Sequence, residues 1–380
     1  MNSTMKKLIT IIGPTLLAIL ILCLGFYSGR FTVIYPFKTY IQSYQNKETL
    51  GTLIDKNKWE GISNAYYDSD QAVQELDEYS WAVPNAMAPF VGSVPAPGHH
   101  DNAYINSMQF RSEEEVVTPK PANVYRIFLT GGSTAFSSGA PSQEKTIAAY
   151  LSKLLNKELS SKKNLSFEVI TSANPAWAST HERIMIENRL SELEPDMIVS
   201  LSGNNDVHWG QRGRDIFWFR TYDEDYFLGL INKILAISGF PSMSDVIQIG
   251  LNPVSPQEVA NRLIKNVKLS TYILSLDDVD YFYFLQPTLD LTQKSLTERE
   301  EQYMSDEGRH QYFIESYHQI DLALQQLDIS NFHYFNLQGI FDQINEKEDI
   351  FIDSYHFGDR GNEIIAQAIY RAISSFILKQ

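Results

Sequence analysis

Three short polar segments in this sequence carry residues that could act together in acyl transfer. The first is the glycine-rich stretch Leu129–Thr134, in which Ser133 follows two glycines and is expected to expose its hydroxyl as a nucleophile. An ordinary helix N-cap and a phosphate-binding turn are alternatives for this serine, although the G-x-x-x-x-G-K pattern of a phosphate loop is missing. The segment alone does not decide among these roles.

The other two segments offer an oxyanion donor and a base. In Ser202–Asp206, the amide of Asn205 could donate to an oxyanion, and Asp206 could fix the loop by accepting backbone hydrogen bonds. Asn and Asp are also common turn residues. Further along, Asp353 precedes His356 by three residues, a spacing that lets the carboxylate orient the imidazole as a general base. A polar surface pair is the alternative for this Asp and His.

The elements around these segments predict that they meet. From Val124 onward, short apolar runs alternate with helical patterns, which predicts an α/β fold with a parallel sheet covered by helices on both faces. The predicted strands are 124–129, 167–170, 197–201, 281–285 and 332–337, with a long helix at 297–327 and a last helix at 361–378. Because the three segments follow the first, third and last strands, they are expected at one sheet edge, where such folds bind ligands.

In this order and on these elements, G-G-S-T at Ser133, G-N-N-D at 203–206 and D-x-x-H at 353–356 resemble the SGNH (GDSL-like) hydrolase family. The likeness spans residues 124–378. It implies a flavodoxin-like three-layer α/β/α sandwich with Ser133 as nucleophile, His356 as base and Asp353 as orienting acid. Gly132 stands where the motif that names the family has Asp.

The resemblance also implies an oxyanion hole. Its donors would be the backbone N–H of Ser133, the side chain of Asn205 and one further backbone N–H. In the family a glycine supplies that last group, and here the position falls on Ala176, or on Asn174 if the register shifts. Neither a metal nor an organic cofactor is implied.

The hydrolase-like domain is expected to span residues 121–380, with an insertion at 207–277 that is too long for a simple crossover. The insertion begins with His208, Trp209 and Arg212. Aromatic rings and a guanidinium group suit the binding of sugars and anionic groups, which makes these three candidate substrate-binding residues. Packing of the insertion onto the domain or against lipid is the alternative.

Residues 30–120 are irregular and rich in Tyr and Pro, and they are expected to form a stalk or a cap. The sequence His99-His100-Asp101 in this region contains suitable metal ligands. Because no further spaced His or Glu cluster accompanies it, a polar loop is the preferred interpretation.

The amino-terminal segment is typical of a membrane anchor. Residues 8–29 contain no charged side chain and are long enough to cross a bilayer. Lys6 and Lys7 place the tail of residues 1–7 in the cytoplasm and the remainder outside. A cleaved signal peptide is the alternative, but the run is long for one and no A-x-A site follows. The expected location is the cytoplasmic membrane, single-pass, with the catalytic domain on the periplasmic or extracellular side.

Composition limits the partners. The chain of 380 residues has 46 acidic and 31 basic side chains, a net charge of -15 that disfavours nucleic acid as a partner. Its one cysteine, Cys23, lies in the apolar run, which excludes intramolecular disulfides and cysteine metal sites. The expected partners are an acylated glycan or other ester, the membrane through residues 8–29, and envelope-assembly proteins.

The sequence therefore favours a membrane-tethered serine esterase that removes acyl groups, acetyl above all, from an envelope or secreted glycan through an acyl-enzyme. An O-acyltransferase acting on envelope polysaccharide would use the same triad. A non-catalytic envelope scaffold is the hypothesis from a different class, but a scaffold has no need of the complete Ser, Asn, Asp and His set.

Overall fold

The structure is a computed structural model that describes residues 3–30, 63–76, 81, 83–100, 102–213, 231–237, 239–242, 252–345 and 348–379. These residues fall into two compact units. The smaller unit holds the described residues 3–30, 231–237 and 239–242, and the larger unit holds all the others.

The smaller unit contains helix α1 (Ser3–Gly29) and a helical stretch at 231–237. The segment predicted as an anchor, residues 8–29, is thus helical. No helix within the described ranges is long and apolar enough to cross a membrane.

The larger unit begins with α2 (Ser69–Glu75) and two antiparallel hairpins. The hairpins pair β1 (Asn85–Ala88) with β2 (Gly92–Pro95), and β3 (Gly98–His100) with β4 (Ala103–Ile105). We call the described residues between 63 and 112 the cap segment. The segment ends at the sheet edge, where the backbone N–H of Arg111 donates to the carbonyl of Thr171 at 3.0 Å.

A five-stranded parallel sheet forms the centre of the larger unit. Its strands are β5 (Val124–Gly131), β6 (Ser166–Ala173), β7 (Met197–Ser202), β8 (Asp280–Leu285) and β9 (Phe332–Asn336). They lie in the order β6-β5-β7-β8-β9, which is 2-1-3-4-5 along the chain, the flavodoxin-like order. All five predicted strands are present.

Helices cover both faces of the sheet, which confirms the predicted α/β architecture. The helices are α3 (Ser133–Phe136), α4 (Ile147–Lys163), α5 (Ser179–Met185), α6 (Asn204–Gln211), α7 (Pro256–Leu274), α8 (Glu298–Glu301), α9 (Glu307–Gln325) and α10 (Asp359–Ile377). Side chains alternate between two cores, because successive strand residues point to opposite faces. Ile127 and Leu129 pack with α4 and α10, whereas Phe128 packs on the face of α7 and α9.

The helices differ from the sequence prediction at two places. The long helix expected at 297–327 is divided into α8 and α9, because the side chain of Asp306 accepts from the N–H of Arg309 at 3.0 Å and starts a new helix. Helix α7 belongs to the sheet layers although its sequence falls inside the predicted insertion, residues 207–277. Amphipathic spacing cannot by itself distinguish a crossover helix from an inserted one.

Candidate active site

The structure joins Ser133, His356 and Asp353 in one chain of hydrogen bonds. Ser133 is the first residue of α3, directly after the end of β5, and its side chain is only partly buried. Its Oγ lies 2.7 Å from Nε2 of His356, and Nδ1 of the same imidazole lies 2.6 Å from Oδ2 of Asp353. With Nδ1–H donating to the carboxylate, Nε2 is left to accept the hydroxyl proton of Ser133.

A tight turn holds Asp353 under the imidazole. Its Oδ1 accepts the backbone N–H groups of Tyr355 at 2.9 Å and of His356 at 2.8 Å. Partial burial acts to raise the pKa of the Asp353 carboxyl, but the charge of His356 and these hydrogen bonds outweigh burial and hold the pKa below its ordinary value. Asp353 is therefore ionised at neutral pH and can stabilise an imidazolium ion.

The amide of Asn205 lies beside the serine loop. Its Nδ2 donates to the carbonyl oxygen of Trp177 at 2.7 Å, which fixes the amide and leaves its second N–H for another acceptor. A Cβ atom placed on Gly132 would lie 2.2 Å from this Nδ2 and 3.0 Å from the Trp177 oxygen. Glycine at position 132 is thus required by the close approach of Asn205, a reason that the sequence analysis did not find.

Ala176 lies in a turn next to the same carbonyl. The N–H of Trp177 donates to the carbonyl of Asn174 at 3.1 Å, with Pro175 second and Ala176 third in the turn. The φ of Ala176 is 71°, the left-handed conformation that this position of a type II turn requires and that glycine adopts best. Asn174, the alternative register, instead directs its side-chain amide to Asn85 of the cap segment at 3.0 Å.

Replacing Ala176 by glycine should stabilise the protein. We expect Ala176→Gly to raise the free energy of unfolding by about 1 kcal/mol, because a side chain in the left-handed region costs roughly that much. Urea unfolding of both proteins measures the difference. Ala178→Gly is the matched control. Ala178 has an extended backbone (φ -110°), so glycine at this position should lower the free energy of unfolding. A loss of stability in both variants would contradict this account.

The three candidate substrate-binding residues, two in α6 and one directly after it, have different surroundings. The ring of His208 packs edge-on against Tyr355, with centroids 6.3 Å apart, and burial together with Arg212 and Arg309 lowers the pKa of His208 to about 3. The indole N–H of Trp209 donates to the carbonyl of Ala176 at 3.1 Å, so this ring braces the turn. The guanidinium carbon of Arg212, an exposed residue, lies 5.9 Å from the centre of the Trp209 ring.

Asp206 links two loops of the site. Its carboxylate accepts the backbone N–H of Ser179 at 2.9 Å and the hydroxyl of the same serine at 2.6 Å. Asp206 was expected to fix its own loop by accepting backbone hydrogen bonds, and its bonds from Ser179 in addition tie the start of α6 to the start of α5. Burial raises the pKa of Asp206 even though both bonds from Ser179 lower it.

Two aromatic residues beside His356 were missed by the sequence analysis. Trp81 packs edge-on against the imidazole with ring centroids 5.9 Å apart, and Tyr355 does so at 4.9 Å. Tyr355 could have been proposed from its place next to His356. Nothing in the sequence indicates Trp81, because it comes from the cap segment far away along the chain.

The cap segment contacts three of the loops that carry these groups. Arg111 donates from Nη1 to the carbonyl of Phe136 in α3 at 2.7 Å. The indole N–H of Trp177 donates to the carbonyl of Ser93 at 3.1 Å. Beyond His356, the carboxylate of Asp359 accepts the backbone N–H of Tyr67 at 3.0 Å. The described part of the cap segment is therefore a wall of the site.

The residues described here include no group of three or more His, Cys, Asp or Glu side chains placed to hold a metal ion. His100 contacts the carbonyl of Ala96 at 3.1 Å through Nε2, and His99 packs edge-on against Tyr104. Asp101 lies outside the described residues. The two histidines belong to strand β3 of a hairpin and not to the polar loop that the sequence led us to prefer.

No family model matches the chain. No curated protein matches it either. Among solved structures, an alpha/beta hydrolase from the metagenome of Lake Arreo, Spain, is 15% identical with a TM-score of 0.41, over 66% of this chain and 95% of that one. The acetyl xylan esterase AlAXEase is 15% identical with a TM-score of 0.40, over 65% and 99%. A catalytic variant of the acetylxylan esterase Axe2 from Geobacillus stearothermophilus is 13% identical with a TM-score of 0.41, over 66% and 94%.

Proposed function

We propose that this protein is a serine esterase of the SGNH type that removes acyl groups, acetyl above all, from a glycan through an acyl-enzyme. The observation that carries the proposal is the continuous hydrogen-bonded chain from the hydroxyl of Ser133 through His356 to Asp353. An Asp–His pair that served only to satisfy the protein surface would not need a serine hydroxyl at Nε2. The amide of Asn205 next to the serine loop adds an oxyanion donor.

In the proposed reaction, Ser133 Oγ attacks the carbonyl carbon of the ester while its proton passes to Nε2 of His356. The negative charge that develops on the carbonyl oxygen is stabilised by the backbone N–H of Ser133, the second N–H of Asn205 and the backbone N–H of Ala176. The ester C–O bond then breaks, and the leaving alcohol takes the proton from His356. A water molecule, activated by the same imidazole, hydrolyses the acyl-enzyme and restores the serine.

Labelling with a fluorophosphonate tests the nucleophile. We expect the full-length protein to be labelled at Ser133 and to hydrolyse 4-nitrophenyl acetate, whereas Ser133→Ala should show neither reaction. Failure of the folded protein to react with both reagents would favour the non-catalytic scaffold. If a glycan added to the reaction receives the acyl group in place of water, the protein is an O-acyltransferase that forms the same intermediate.

A glycan substrate outside the cytoplasmic membrane is the finer part of the proposal. The support comes from the sequence, in which residues 8–29 lack charge and follow Lys6 and Lys7. If the anchor forms, the full-length protein should sediment with membranes, and protease added to intact spheroplasts should degrade the larger unit. Recovery in a soluble fraction after expression in bacteria would contradict the anchor while leaving the esterase proposal intact.

A further inference from the structure

One arginine next to the triad lacks an anionic partner. Arg309 lies in the first turn of α9, and its Nε and Nη2 atoms are shielded from solvent without a hydrogen-bond partner among the residues that the structure describes. Its guanidinium group lies 5.1 Å from the centre of the Phe313 ring. Shielding part of a cation from water in this way is costly unless an anion approaches it.

Two carboxylates at the start of α9 are engaged elsewhere. Asp306 accepts the backbone N–H of Arg309 as the N-cap of α9. Asp290 lies 3.1 Å from His310 and also accepts the hydroxyl of Ser305 at 2.8 Å. Within the described ranges, the ion pairs include neither Arg309 nor Arg212. Among the residues that the structure describes, neither arginine therefore has a carboxylate partner, although the chain as a whole has a net charge of -15.

Both arginines lie close to the catalytic groups. The positive charge of Arg309 acts on the side chain of Tyr355, whose ring packs against His356. Arg212 stacks over Trp209, the residue that braces the Ala176 turn. The positive charges of both act on His208, which lies between Trp209 and Tyr355 in the chain of ring contacts. His208 is neutral at physiological pH, so it adds no charge of its own.

We infer that Arg309, together with Arg212, binds an anionic oxygen group of the substrate, so that the enzyme acts on esters of an acidic glycan. The inference rests on the proposed esterase function and narrows its substrate class. A guanidinium group presents paired N–H donors that match a carboxylate or a phosphate. The favoured substrate carries such a group near the acyl ester, as an O-acetylated uronic acid or an O-acetylated sugar phosphate does.

The test compares substrates that differ only in charge. O-acetylated glucuronic acid is paired with O-acetylated glucuronamide, and O-acetylated glucose 6-phosphate with O-acetylated glucose. We expect the wild-type enzyme to have the higher kcat/KM for the anionic member of at least one pair, and that pair identifies carboxylate or phosphate. Arg309→Gln should reduce this anionic-to-neutral ratio roughly tenfold or more, the usual consequence of losing a charged hydrogen bond worth about 1.4 kcal/mol.

Two further variants control the comparison. Arg309→Lys keeps the positive charge but loses the paired N–H donors of the guanidinium group. Its anionic-to-neutral ratio of kcat/KM should therefore lie between those of Arg309→Gln and the wild type. Arg371→Gln removes an exposed arginine of α10 and should leave the ratio unchanged. If Arg309→Gln does not fold, rising salt should still lower the ratio in the wild-type enzyme, because salt screens the attraction. Equal kcat/KM for both members of each pair in the wild type would overturn the inference.

A binding measurement separates this inference from the esterase proposal. Ser133→Ala cannot form an acyl-enzyme, so calorimetry on this variant follows binding of the acetylated compounds without turnover. Suppose that Ser133→Ala binds the anionic compound more tightly than the neutral one, and that the double variant Ser133→Ala, Arg309→Gln loses this preference. That result supports the anion subsite even if the wild type cleaves neither ester. If cleavage depends on Ser133 but the anionic and neutral compounds bind equally well, the esterase proposal stands and the anion subsite is contradicted.

Discussion

Ser133→Ala should lower kcat for a small acetyl ester by at least about 10⁴-fold, because the hydroxyl forms the covalent intermediate and no neighbouring group can replace it. His356→Ala should be nearly as damaging. A triad acts as one unit, so the double variant should lose little more than either single variant. The residual rate comes from the oxyanion donors and from substrate binding alone.

The measurement is steady-state hydrolysis of 4-nitrophenyl acetate by the two single variants and the double variant. Ser133 is only partly buried and its hydroxyl bonds His356, so each variant should keep the wild-type circular dichroism spectrum and a similar Tm. Losses that multiply in the double variant would contradict the assignment of Ser133 and His356 to one catalytic unit. Retained labelling of Ser133→Ala by a fluorophosphonate would point to another nucleophile.

Asn205→Ala should lower kcat by about 10²- to 10³-fold with little change in KM, the usual effect of removing one oxyanion donor. The amide is held by the carbonyl of Trp177 in the ground state, so its second N–H requires no reorganisation when the oxyanion forms. The variant also leaves that carbonyl without its partner, which should cost about 1 kcal/mol of stability.

Asn205→Asp is the sharper companion variant. It keeps the shape of the side chain but replaces the donor by a negative charge, so its turnover should be at least as low as that of Asn205→Ala. Kinetics at a temperature well below the Tm of both variants keeps stability out of the comparison. Normal turnover in a folded Asn205→Ala protein would mean that the amide serves only to brace the 174–177 turn.

The sequence was sufficient to predict which loops meet, and the reason lies in the sheet. Apolar runs of strand length are recognisable locally, and parallel strands bring their carboxyl ends to one edge, so Ser133, Asn205 and His356 could be placed together without side-chain detail. The strand order came from the resemblance to a family. Periodicity alone does not determine which strands are neighbours.

Contacts between distant segments could not be predicted in the same way. Trp81 packs against His356, and Arg309 lies close enough to Tyr355 for its charge to act there. Neither contact corresponds to a periodic pattern of residues in the sequence. The need for glycine at 132 depends on where the Asn205 amide points, which is a property of the assembled loops. The division between α8 and α9 depends on the Asp306 cap, whose signal is short compared with the helical pattern around it.

The cap segment has a consequence for the order in which the molecule can fold. The bond from Tyr67 to Asp359 joins residues 292 positions apart, and the hydroxyl of Tyr66 donates to the carbonyl of Gly139 at 2.8 Å. Such distant contacts are slow to form, because the chain must lose the entropy of a long loop before the contacts can stabilise it. During synthesis on a ribosome, the cap segment emerges before the strands of the sheet but cannot complete its contacts until α10 has been made. The proposed esterase activity should therefore be among the last properties to appear as the chain refolds, after the parallel sheet has formed.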